Sequence, residues 1–196
     1  MKDGAFPPFT RPARINVVGV SGSGKSTLAK RLSALTGIHH IEMDSLFWKP
    51  GWTGTADDEF LAKVEQALEG DEWILDGNYS RTQPVKWRRA TMVVWVDFSF
   101  SRTLWQAVRR ACVRAFTKAE LWPGTGNRES FRKSFFSKDS IIWWTITSYG
   151  RQRGRYLRLM DDPEHAHLTI IRLRSPRDVS RFLMGFEEQG DRRIFG

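Results

Sequence analysis

The stretch Gly19-Val20-Ser21-Gly22-Ser23-Gly24-Lys25-Ser26-Thr27 satisfies the pattern G-x-x-x-x-G-K-[ST] and constrains this chain more than any other. The apolar run from Ile15 to Val20 precedes it and the helix-favouring Thr27 to Leu32 follows, which is the strand-loop-helix context that gives the pattern its meaning. Glycines let the backbone turn tightly and aim successive N–H groups at one point, where a helix N-terminus adds about half a positive charge. Such a cradle holds phosphates. Gly19, Ser21, Gly22, Ser23, Gly24, Lys25, Ser26 and Thr27 are therefore expected to bind ATP, with Lys25 reaching the β and γ phosphates and Ser26 ligating Mg2+. The second substrate stays open, because loops of this kind serve enzymes, motors and switches alike.

Further along, Ile38 to Asp44, Trp73 to Asp76, Thr91 to Asp97 and His167 to Leu173 read as buried strands, each followed by helical spacing. With the strand before the phosphate loop they make five, which predicts an α/β fold, a three-layer sandwich with helices on both faces of a parallel sheet. Two of these strands deliver carboxylates, Asp44 and Asp76, to the carboxyl end where ligands bind in such sheets. An aromatic loop containing Trp48 and Trp52 follows the first, and Asn78, Tyr79 and Arg81 follow the second. A helix from Arg102 to Phe116 is expected to turn Leu104, Trp105, Val108, Cys112, Ala115 and Phe116 to the core, with Arg110 and Arg114 sharing another face. Asp57 or Asp58 is expected to N-cap the helix Glu59 to Leu68, and the tail beyond Gly190 to be loose.

The charge is concentrated. Residues 101–160 hold thirteen Lys or Arg against three acids, a surplus of ten in a chain whose net charge is +9. One basic region therefore meets something anionic, and either the phosphates of a small substrate or nucleic acid would satisfy it. No apolar run approaches the roughly 18 residues of a membrane span, and Met1 to Arg14 lacks an apolar signal core, so a cytoplasmic location without membrane contact is expected. The single cysteine, Cys112, excludes an intrachain disulfide.

These residues resemble the P-loop nucleoside monophosphate kinase-like proteins, which include adenylate and shikimate kinases. The loop Gly19 to Thr27, Asp44 with Trp48-x-Pro50-Gly51-Trp52, Asp76-Gly77-Asn78-Tyr79, and Gly126 to Ser130 followed by Ser137 to Ser140 are similar to bacterial proteins labelled adenylate kinase-related or DNA topology modulation proteins. The resemblance implies strand order 2-3-1-4-5 and a helical lid at about 118–137. The length predicts one domain, here a P-loop kinase-like one over 14–190, and Pro7, Pro8 and Pro12 predict a disordered lead-in at 1–13. By similarity Asp76 orients metal-bound water, Asp44 faces the acceptor hydroxyl, and Arg174 and Pro176 lie where relatives bind adenine. Adenylate kinases follow Asp-Gly with Phe-Pro-Arg, whereas here Asn78-Tyr79-Ser80-Arg81 follows, so AMP is not carried over as the acceptor.

Phosphoryl transfer needs in-line positioning and positive charge around the moving group. Lys25, the carboxylates Asp44 and Asp76, and Arg110, Arg114 and Arg128 are the catalytic candidates; Ser26 and Asp76 are the metal candidates. Asp44, Trp48, Trp52, Asn78, Tyr79 and Arg81 are the candidate acceptor contacts. The function expected is an ATP-dependent kinase whose acceptor is a nucleotide, sugar or hydroxy acid. The alternative is a nucleic-acid-associated ATPase or regulator.

Overall fold

The computed structural model describes residues 6–7, 9–117, 120–128 and 140–194. Five strands form one parallel sheet: β1 (Arg14–Val18), β2 (His40–Glu42), β5 (Trp73–Asp76), β6 (Met92–Val96) and β7 (Thr169–Leu173), in the order β2-β5-β1-β6-β7. The short strands β3 (Trp48–Lys49) and β4 (Thr53–Gly54) make a separate hairpin. Counted without that hairpin, the sheet has the expected order 2-3-1-4-5. The register sets Val17 beside Asp76 and Glu42 beside Asp76, so the carboxyl ends of β1, β2 and β5 come level at one edge.

Alternation along the strands divides the core into two layers. Ile15, Val17, Val94, Val96 and Leu173 face one side, packed by α1 (Lys25–Thr36) and α7 (Pro176–Ile194) through Leu28, Leu32, Phe182 and Leu183. Val18, Leu75, Val93 and Trp95 face the other. That side is covered by Phe60 and Val64 of α3 (Asp57–Ala67), Trp87 of α4 (Gln83–Arg89) and Tyr156 of α6 (Ile141–Met160). Two further helices, α2 (Met43–Phe47) and α5 (Phe100–Thr117), follow β2 and β6 directly.

Several local expectations change. The buried face of α5 is Thr103, Ala107, Ala111 and Ala115, while Trp105 and Phe116 are 62% and 77% exposed. The reason is close approach: a Cβ on Gly22 of the phosphate loop would lie 2.7 Å from the Thr103 carbonyl and 2.9 Å from the Ala107 Cβ, so only small residues fit there. Asp57 does not cap α3; it is the first helical residue and pairs with Arg81. The chain beyond Gly190 stays helical to Ile194, with Gly190 inside α7 instead of ending it. Ahead of β1, Phe6 and Phe9 pack on Phe182 and Phe186, and Ala13 is buried, so the described part of the lead-in rests on the core. Of the expected lid, 118–119 and 129–137 lie outside the described residues.

Asn16 is the one fully buried polar residue on the inner strand β1, and its bonds tie three elements together. Its Nδ2 donates to the Leu75 carbonyl at 3.1 Å, and its Oδ1 accepts from the Trp87 indole at 2.9 Å. Asn16→Leu leaves both partners unsatisfied in a dry core and is expected to lower stability by about 2–4 kcal/mol, measured by urea unfolding. A loss below about 1 kcal/mol would show that the network is not structural.

Candidate functional site

The phosphate loop is clamped from three sides. Asn78, after β5, accepts from the Gly19 N–H at 3.0 Å and donates back to the Gly19 carbonyl. Arg110 of α5 donates to the Ser21 hydroxyl at 2.9 Å, and the buried Thr145 hydroxyl of α6 lies 3.5 Å from the Ser21 carbonyl. Gly24 enters α1 with φ +94°, and no side chain caps that helix. Its first amides are thus left for an anion, as the sequence pattern requires.

Lys25 Nζ lies 4.0 Å from Asp76 Oδ1, with the carboxylate side chain only 2% exposed and the ammonium chain 14%. That oxygen is buried without a hydrogen-bond partner. A hard anionic oxygen left unsatisfied next to the loop suits Mg2+, so Asp76 with the Ser26 hydroxyl fits the metal role expected of them. Asp44 sits at the second position of α2, just past the end of β2, and accepts from the Tyr79 hydroxyl at 2.7 Å. Burial and the Asp44 charge hold the Tyr79 proton more tightly than usual. Glu42, at the end of β2, also has its pKa raised, first by burial and then against Lys30 by the neighbouring Asp76 and Asp44.

A buried cation beneath this edge is absent from the expectations above. Lys86 of α4 is fully withdrawn from water and donates to the Gly77 carbonyl at 3.2 Å. Burial, then the Arg155 charge, push its pKa down to about 7, while Asp76 acts in the opposite direction. Thr82, Lys86 and Ala90, spaced four apart, are all buried, so Lys86 lies on the inward face of this segment. A second residue without a sequence signal is Tyr156, whose hydroxyl donates to Asn78 Oδ1 at 3.1 Å, beside Gln152 on the Asn78 amide.

The other expected site residues divide. Trp48 and Trp52 join Trp122 in one cluster, with ring centres 5.7 to 6.5 Å apart. Asn127 fastens it by accepting from the Trp52 N–H at 2.9 Å and donating to the Lys49 carbonyl at 3.0 Å. Asn78 is committed to the phosphate loop instead of an acceptor, because both faces of its amide are taken. Arg81 lies over the Phe47 and Phe60 rings and pairs with Asp57, which keeps it off Asp44. Arg128 is exposed and bridged through its backbone to Glu120. Arg114 is half-buried on α5, and Arg174 and Pro176 are exposed at the start of α7. Part of the basic surplus is internal, since Arg153 and Arg172 both bind the buried Asp97, at 3.1 and 2.5 Å. Among the described residues no helix is long and apolar enough to cross a membrane.

No family model matches the chain. It is similar to a cytidylate kinase from Maridesulfovibrio salexigens, 38% identical over 78 residues, which cover 36% of this chain and 33% of that protein. The chain thus spans about a third of the length of the curated relative it matches. Among solved structures it is similar to a gluconokinase from Sinorhizobium meliloti 1021 at 18% identity, with a TM-score of 0.48 over 94% of this chain and 97% of the other.

The depressed Lys86 has a measurable consequence. Its folded pKa, about 7, lies below its ordinary 10.5, so between those values the unfolded chain binds more protons and stability rises with pH. Lys86→Met is expected to flatten that rise, read as Tm against pH from about 7 to 10 in variant and parent. Equal slopes would mean the ammonium is not buried in solution.

Proposed function

We propose that this chain is an ATP-dependent kinase that transfers the γ-phosphoryl group to a hydroxyl of a small molecule. The observation that carries the proposal is the pairing of an uncapped phosphate loop with a buried carboxylate 4.0 Å from its lysine, one oxygen of which has no partner. The likeness to a cytidylate kinase over part of the chain supports the same class.

In the proposed reaction, the loop amides and Lys25 hold the β and γ phosphates, and Arg110, hydrogen-bonded to Ser21, adds positive charge beside the moving group. Ser26 and Asp76 would hold Mg2+, which when bound neutralises charge shared between those phosphates. The acceptor oxygen forms a bond to the γ phosphorus as the bridging oxygen leaves on ADP. Asp44 orients the acceptor hydroxyl and takes its proton, and the Tyr79 hydroxyl fixes the carboxylate in place. Asn78, through Gly19, keeps the loop in register with the end of β5.

The experiment is phosphoryl transfer from γ-labelled ATP across nucleosides, nucleotides, sugars and hydroxy acids, with Mg2+. Lys25→Ala is expected to reduce turnover by about 100-fold or more, and Asp44→Asn by about 100-fold with ATP affinity unchanged. Turnover that no acceptor stimulates, with Asp44→Asn equal to the parent, would sink the kinase assignment.

A nucleic-acid-associated ATPase is the second reading. It is favoured by exposed tryptophans set against arginines, Trp105 under Arg109 on α5 and Trp144 under Arg151 on α6, an arrangement that suits base stacking beside phosphate contacts. It predicts binding of single-stranded oligonucleotide that weakens steeply with salt and falls in the Arg109→Glu, Arg151→Glu double variant. Absence of binding at low salt removes it.

A further inference from the structure

The chain from α5 onward touches both sides of the proposed site. α5 brings Arg110 to the Ser21 hydroxyl of the phosphate loop, and further along Asn127 is bonded to the hairpin that follows Asp44. Residues 120–128 close on themselves. Glu120 and Arg128 bridge at the ends, and the Leu121 N–H donates to the Asn127 carbonyl at 3.0 Å. The Glu120 carboxylate accepts from the Gly126 N–H at 2.7 Å, and the Thr125 hydroxyl donates to the Trp122 carbonyl at 2.7 Å. Two side chains of this knuckle are withdrawn from water, Trp122 at 8% exposure and Asn127 at 1%. Both are committed to the hairpin β3–β4, the ring against Trp48 and Trp52 and the amide to the backbone.

Asn127 grips a turn that its own sequence disfavours. Trp52 has φ +62°, a left-handed backbone that a bulky side chain seldom adopts. Such conformations persist where neighbouring groups over-determine them. Here the Trp52 N–H donates to Asn127 Oδ1 at 2.9 Å, and Asn127 Nδ2 donates to the Lys49 carbonyl at 3.0 Å, so one amide brackets the turn from both sides. The hairpin in turn is joined to Asp44. The Trp48 N–H donates to the Asp44 carbonyl at the end of α2, and Thr55 returns its N–H and hydroxyl to the Phe47 carbonyl at 2.8 and 2.7 Å. A Cβ on Gly54 would lie 2.8 Å from the Phe47 ring, whose centre is 5.0 Å from that of Tyr79, the residue bonded to the Asp44 carboxylate. A displaced hairpin therefore reaches Asp44 through its backbone and through Tyr79.

From this arrangement we infer that Asn127 is a positioning residue for phosphoryl transfer, which fixes the hairpin and thereby sets where Asp44 stands relative to the phosphate loop. The inference rests on the kinase assignment above and adds to it a residue that touches no reacting atom. In-line transfer is sensitive to such placement, since a shift of about 1 Å from a remote substitution can slow a reaction by about 100-fold.

The test uses the full chain with γ-labelled ATP and Mg2+ across nucleosides, nucleotides, sugars and hydroxy acids, in parent, Asn127→Ala and Asn127→Asp. Asn127→Ala loses both bonds, whereas Asn127→Asp keeps the acceptor for the Trp52 N–H and sets an oxygen against the Lys49 carbonyl. For each compound the parent phosphorylates, kcat/KM per folded molecule is expected to fall by about tenfold or more in Asn127→Ala and about threefold or more in Asn127→Asp. Affinity for a fluorescent ATP analogue with Mg2+ is expected to stay within about twofold of the parent. A purely structural amide would lower Tm and the folded fraction while leaving transfer per folded molecule intact. Parent-like transfer in the folded variants, analogue affinity that falls in step with transfer, or loss of folding in both variants each overturns the inference; where only Asn127→Asp folds, its transfer rate decides. A parent that phosphorylates no member of the panel defeats the kinase assignment itself, so the two failures are told apart.

Discussion

A carboxylate withdrawn from water with one oxygen unbonded is an expensive thing for a fold to hold, and Asp76 is held that way. Nearly everything at the carboxyl edge of the sheet can be understood as support for it. Lys25 and Lys86 supply positive charge from opposite sides, one exposed enough to meet a ligand and the other fully enclosed. Gly77, next in the chain, has no room for a side chain, since a Cβ there would lie 2.7 Å from Met43. Its carbonyl is covered by Lys86, with the Asn16 amide nearby at 3.5 Å. Breaking such a set by removing one member leaves a buried charge uncompensated, which is why polar clusters of this kind act as units.

The same edge explains why the phosphate loop has a fixed shape before any ligand arrives. Asn78 reads both the donor and the acceptor of Gly19, and Tyr156 and Gln152 fix Asn78 in turn. This chain of bonds links α6, the end of β5 and the loop, although they lie far apart in sequence. Arg110 and Thr145 add contacts at Ser21. Preorganised donors need no rearrangement when charge moves, which is the general advantage of a site built this way.

What was legible in the sequence follows from the range of the interactions involved. The phosphate loop is a local pattern, and the buried strands are runs of adjacent apolar residues; both could be read without knowing what they would touch. Strand order needed the family resemblance, since register between distant strands leaves no mark in either one. The roles of Asn78 and Arg81 depend on partners 59 and 24 residues away, so position after Asp-Gly could not say that one would face the loop and the other an aromatic wall. The buried face of α5 failed for a related reason. Hydrophobicity favoured Trp105 and Phe116 along with Ala115, but α5 buries Thr103, Ala107, Ala111 and Ala115, with Ala107 set against Gly22. Close approach of backbones selects for size before hydrophobicity.

The distribution of charge ties these parts into one device. Arginines that look surplus in the composition are partly engaged within the protein, with Arg153 and Arg172 on the buried Asp97, Arg155 on Gln83 and, at the surface, Arg81 on Asp57. Arg110, by contrast, is brought to the phosphate loop. The acids are segregated in the opposite direction, toward the ends of β2 and β5 and the start of α3. A transferring phosphoryl group would thus leave a positive cradle and meet a carboxylate that withdraws a proton from its new bond.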